Sequence, residues 1–446
     1  MPRVFIKRSA FIFFAMLLLL GCLTPTARSF FGLPTHYKMY VGDSLASLSF
    51  PRGFLNDKLV WEVSNDEIFQ VTAGEPMVAR TPGRCIASLK LFGIIPLRHI
   101  AITAVPLQKV VPGGQSIGVL LHPYGVQIVG EAPITTVDGY ENNPALEAGL
   151  RIGDMILKIN SEKMVSDLDV KRVIDQAGAR GDSLHIVVKR RGKVLAFNVK
   201  PRYCPETDRY RIGVLIRDSA AGVGTLSFYS PKTNCFGALG HMITDGYSAQ
   251  RMELSDGKIV EAFIQDIRSA KKGQPGEKLG IFYGSNNIAG TISKNTVYGI
   301  FGTLHEPIAN SHYKKTIPVA LLNQIEVGPA EMLTVIDGNK IERFSLEIEE
   351  VRPEAFRDGK GLIIRITDDK LLRRTGGIIQ GMSGSPIIQN GKLVGAITHV
   401  FINNPARGYG VPAEWMIREC GLLKQENLQG NRETSINSNQ RYRKVA

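Results

Sequence analysis

The chain has 446 residues, of which 43% are hydrophobic and 21% charged, with 46 glycines and a formal net charge of +13. That balance excludes a disordered chain and allows two to four folded domains, while the glycine content favours short strands and many turns over helical bundles. The positive charge is scattered rather than gathered with aromatics into one patch, which argues against a nucleic-acid partner and leaves an anionic membrane surface as the expected electrostatic partner.

In chain order, Arg3, Lys7 and Arg8 precede an apolar run from Ser9 to Leu20. This reads as a signal or anchor segment over residues 1–30, its length suiting a secretory signal better than a full span. Leu19-Leu20-Gly21-Cys22 either forms a lipoprotein cleavage site or places a cysteine there by coincidence. Residues 31–105 alternate apolar and polar positions, as in Lys58–Val63 and Cys85–Leu91, and predict a small antiparallel β domain. Within 106–202, the string from Asn143 to Asn160 resembles a PDZ domain. It contains a short helix closed by Gly149, a Gly153-Asp154 turn and a strand over Met155–Ile159. A helix over Val165–Ala177, capped by Ser166 or Asp167, lines the expected peptide groove. The carboxylate-binding loop is expected at Ser116, Ile117, Gly118 and Val119, behind Gly113-Gly114. Short apolar runs between glycine turns over 203–425, such as Val260–Ile264, Leu279–Tyr283 and Leu346–Val351, predict a double β-barrel. Residues 426–446 form a polar tail.

The chemistry concentrates in Gly381-Met382-Ser383-Gly384-Ser385-Pro386, which feeds two apolar runs joined by Asn390-Gly391. Asn-Gly between apolar runs signals a tight hairpin. A serine in a glycine-bounded loop ahead of a hairpin is how a trypsin-like barrel presents its nucleophile. The amides of Gly381 and Ser383 are then the oxyanion donors. Upstream, Gly240-His241 sits among small residues and supplies the candidate base, with His399 as runner-up. The orienting acid is open between Asp368, Asp369 and Asp245.

Together, the Gly240-His241 motif, the serine loop and the PDZ segment resemble the SpoIVB-type sporulation signalling serine peptidases. The resemblance implies a mainly β chain with a chymotrypsin-like peptidase, and catalytic Ser383, His241 and Asp368. It also implies self-cleavage and cleavage of a regulatory membrane protein that restrains an intramembrane protease. The setting is then the space between forespore and mother cell, and the outcome is sigma factor precursor processing. The alternative is a non-catalytic PDZ adaptor that scaffolds such a complex. No cofactor is expected. The cysteines Cys22, Cys85, Cys204, Cys235 and Cys420 lack a CxxC pair, so zinc is not expected, and free buried thiols are.

Overall fold

The computed structural model describes residues 34–44, 58–70, 77–135, 139–244, 246, 251–282, 288–306 and 310–423. The expected signal segment, Cys22, Asp245 and the polar tail lie outside them. The chain divides into two compact units, the second spanning Lys109–Leu422.

The first unit holds a four-stranded sheet of β1 (His36–Tyr40), β2 (Leu59–Val63), β3 (Gly83–Leu91) and β4 (Ile95–Val105), in the order β1-β4-β3-β2. The alternation seen in the sequence buries Cys85, Ala87 and Leu89 on one face. The sheet is mixed rather than antiparallel, because β1 pairs with β4 in parallel.

The second unit begins with β5 (Lys109–Pro112) and β6 (Ser116–Pro123). Both belong to the sheet of the first barrel, not to the PDZ sheet. Ser116, Ile117 and Val119, with 5%, 1% and 4% exposure, are interior positions of a barrel strand. A Cβ on Gly118 would strike the ring of Phe282. Residues 116–119 are thus strand positions paired on both sides rather than the free glycine-led loop that was expected.

The PDZ sheet follows: β7 (Val126–Glu131), β8 (Met155–Ile159), β9 (Leu184–Arg190), β10 (Lys193–Val199) and β11 (Val214–Arg217), in the order β10-β9-β8-β7-β11. Helix α1 (Pro144–Glu147) is short, and α2 (Asp167–Arg180) covers the core with Val170, Val173, Ile174 and Ala177. A capping box between Ser166 and Asp169 starts α2, and Gly181 in the left-handed region ends it. The edges of this sheet are β10 and β11, and Asp218 just after β11 accepts from the Asp167 amide at the start of α2.

The chain then re-enters the barrel through β12 (Ala220–Tyr229). β12 pairs antiparallel with β6, Ala220 opposite Leu121. The PDZ domain is therefore an insertion between two adjacent barrel strands, and the boundary expected near residue 202 is replaced by this nesting. With β13 (Cys235–Ala238), β14 (Leu254–Arg268), β16 (Ile288–Thr296) and β17 (Gly299–Leu304), strands β6 and β12 close a six-stranded ring. Strand β15 (Glu277–Phe282) pairs on β14. The second ring comprises β18 (Gly328–Val335), β19 (Ile341–Val351), β20 (Leu362–Ile366), β21 (Pro386–Gln389), β22 (Lys392–Phe401) and β23 (Asn404–Pro412). Helix α3 (Asp369–Thr375) precedes the serine loop, and α4 (Ala413–Glu419) follows the last strand. The Asn390-Gly391 turn has both residues at positive φ, as a tight hairpin between β21 and β22 requires. Cys235 and Cys420 form a disulfide, while Cys85 and Cys204 are free and buried. The fold brings together two cysteines that are 185 residues apart, where free buried thiols were expected.

Candidate active site

Ser383 lies in a loop whose backbone is held on both sides. Gly381 and Gly384 have φ of +91° and +95°, a region that penalises any side chain. A Cβ on Gly384 would lie 2.0 Å from the Thr225 carbonyl oxygen. Thr225, fully buried on β12, donates its hydroxyl to the Gly381 carbonyl at 2.7 Å and its amide to the Ser383 carbonyl at 2.9 Å. The Met382 amide donates to Ile379, and the Gly384 amide to Ile397. Among the described residues, the amides of Gly381 and Ser383 have no acceptor. They are the two positions expected to serve an oxyanion.

The Ser383 hydroxyl donates to the Thr398 carbonyl at 2.7 Å. That carbonyl is on β22, one residue before His399. His241 meets the same strand from the first barrel, its ring 4.9 Å from that of His399. Leu239 and Gly240, both at positive φ, turn the chain into His241. A Cβ on Gly240 would lie 2.9 Å from the Thr398 methyl, and one on Gly384 would lie 2.5 Å from the Leu239 nitrogen. The segments bearing the hydroxyl and the imidazole are thus in contact, although far apart in sequence.

His241 Nδ1 is 2.9 Å from the Met242 carbonyl. A carbonyl only accepts, so Nδ1 carries the proton and Nε2 is left as the basic nitrogen. Burial pushes the imidazole below its ordinary value, partly offset by this bond. His399 is pushed down to about 4 by burial, then by the neighbouring His241 and Lys360. Asn295 pins the backbone after His241: its amide group accepts from the Ile243 amide and donates to the Ile243 and Met252 carbonyls.

Asp368 does not join this arrangement. It is the N-cap of α3, its carboxylate accepting from the Leu371 amide at 2.9 Å and the Ser345 amide at 3.4 Å. An N-cap three residues before a free helical amide satisfies the helix rather than a distant imidazole. Asp369 is the first residue of the same helix. The orienting acceptor on His241 is a main-chain carbonyl instead.

Two family matches coincide with this architecture: SpoIVB peptidase S55 over residues 208–417, and the PDZ domain over residues 123–200. The chain carries an S55 serine peptidase. Its barrel extends upstream of the S55 match, since β5 and β6 precede the PDZ insertion. Curated relatives include a zinc metalloprotease of Treponema pallidum, 26% identical over 159 residues, covering 34% of this chain and 33% of that protein. A zinc metalloprotease of Brucella suis is 34% identical over 83 residues, covering 19% and 21%. The chain spans a third or less of the length of these relatives, and the metal-dependent activity in their names is theirs. Among solved structures, the PDZ domain of an SdrC-like protein of Listeria monocytogenes matches at 22% identity and TM-score 0.17, covering 21% of this chain and 90% of that one. The Rv3671c protease of M. tuberculosis matches at 15% identity and TM-score 0.26, covering 46% and 76%.

Sequence reasoning missed Thr225, Asn295 and Lys278 in the S55 domain. Each sits on a strand that looks like ordinary barrel, and each acts through polar atoms whose partners lie far away in sequence. Only Thr225 had a local hint, as a threonine in a run otherwise apolar or glycine, Ala220–Leu226.

Proposed function

We propose that this protein is an exported serine endopeptidase with Ser383 as nucleophile and His241 as general base. The Ser383 hydroxyl leaves the Thr398 carbonyl, passes its proton to His241 Nε2 and attacks the scissile carbonyl carbon. The resulting oxyanion takes the amides of Gly381 and Ser383. His241 returns the proton to the leaving amine, the peptide bond breaks, and water hydrolyses the acyl-enzyme. The Met242 carbonyl holds the tautomer. The observation that carries this reading is that the Gly381 and Ser383 amides are unpartnered while the Met382, Gly384 and Ser385 amides of the same loop are bonded.

Mapping a fluorophosphonate label tests it. Phosphonylation of Ser383 is expected in the wild type, and Ser383→Ala is expected to lose labelling and reduce peptide cleavage roughly 10⁴-fold or more. Cleavage retained by that variant would refute the assignment.

On this reading the substrates are the chain itself and a regulatory membrane protein of an intramembrane protease complex, cut between forespore and mother cell to trigger sigma factor precursor processing. The basic charge favours work against an anionic membrane. The PDZ domain selects when and where cutting occurs. Because β6 and β12 pair directly, replacing residues 124–218 by a short turn is expected to leave the barrel folded and Ser383 reactive. Self-cleavage timing is expected to change, as followed by gel; unchanged timing removes the regulatory role.

A further inference from the structure

Lys278, on β15, is 4% exposed, and its ammonium has only hydroxyl partners: Thr334 of β18 at 2.8 Å and Ser116 of β6 at 3.4 Å. Those strands belong to different barrels. The lysine stem runs beneath the oxyanion loop, since a Cβ on Gly381 would lie 3.0–3.2 Å from its methylenes. The backbone is joined as well, the Lys278 amide donating to the Gln380 carbonyl at 3.0 Å.

Burying an ammonium without a counter-ion is costly, and a methionine of similar length would avoid that cost. A hydrophobic filler would pack the same space. What the lysine adds is a hydrogen-bonded tie between barrels and a positive charge behind the Gly381 peptide. We propose that Lys278 is a positioning residue of the oxyanion site, its charged form holding the Gly381 and Ser383 amides toward the reacting carbonyl and adding a favourable field for the anion. The inference rests on the Ser383 reading above.

The surroundings of Lys278 are uncharged. Ser116, Thr334, the Gln380–Gly381 backbone and Ile267, its cross-strand partner on β14, contribute no ionised group. Charged side chains on these strands are paired elsewhere, Glu277 with Arg268, Asp266 with Arg374 and Glu331 with Arg343. Burial alone pushes the ammonium down to about 7. Activity that depends on the charged form is therefore lost as pH rises through the neutral range, giving an alkaline limb.

The test measures phosphonylation of Ser383 in the full chain, separating the maximal rate from the apparent affinity for the probe, across pH 5 to 10. Lys278→Met is expected to lower the maximal rate about tenfold or more with affinity changed less than twofold, to abolish the alkaline limb, and to leave the melting temperature equal or higher. Thr334→Val keeps the ammonium but removes its closest acceptor, so the alkaline limb is expected to move to lower pH. A Lys278→Met protein that labels at the wild-type rate with the same pH profile overturns the proposal. So does a loss of rate that merely follows a lowered melting temperature. Absence of Ser383 labelling in the wild type would instead sink the underlying nucleophile assignment.

Discussion

The serine loop and the histidine turn are built in opposite ways. Around Ser383 almost every backbone group is committed: Thr225 takes two carbonyls, Ile379 and Ile397 take two amides, and two glycines at positive φ set the path. Around His241 the hold is lighter. One carbonyl of the next residue fixes the tautomer, His399 lies against the ring, and Asn295 pins the chain beyond it. A nucleophile loop must present two amides and a hydroxyl in one geometry, whereas the base needs one free nitrogen within reach. The chain concentrates its constraints accordingly.

The comparison breaks most sharply at Gly381. Gly381→Ala introduces a Cβ at a φ of +91° against the Lys278 stem, and is expected to reduce Ser383 phosphonylation roughly 10²–10³-fold, the size of losing one oxyanion donor. A variant within a few-fold of wild type shows that the loop is not so finely held. On the histidine side, the base works only when neutral. Burial lowers the His241 value below the ordinary 6.5, so labelling is expected to persist at pH 6.5 and fall as pH drops further. An acid limb above 6.5 contradicts a buried, carbonyl-oriented imidazole. The smallest effect is expected at Asp368. Asp368→Ala removes a helix cap and is expected to cost about 1 kcal/mol of stability by denaturant titration, with the labelling rate nearly unchanged. A loss of around 10⁴-fold identifies it as the triad acid and requires α3 to rearrange.

Local order was legible where one segment's own residues decide its shape. Ser166 and Asp169 cap α2, Asn390-Gly391 closes a hairpin, and alternation marks β3 and β19. The serine loop itself was legible because glycines on either side of Ser383 are a backbone requirement written in sequence. The placement of 116–119 was not, because a buried barrel strand and a glycine-led binding loop share the same small and apolar residues.

By itself the sequence determined the glycine-bounded serine loop, the candidate base, the PDZ elements and the mainly β character, since these follow from steric limits on φ and from the spacing of apolar side chains. The tertiary structure decided that the PDZ domain is nested between β6 and β12, that Cys235 meets Cys420, that Asp368 serves a helix, and that Lys278 and Thr225 pack against the Gly381–Ser383 loop. Apart from the local Asp368 cap, these are pairings across 56 to 185 residues of the kind a barrel creates when it closes, and no local propensity encodes which strands will become neighbours.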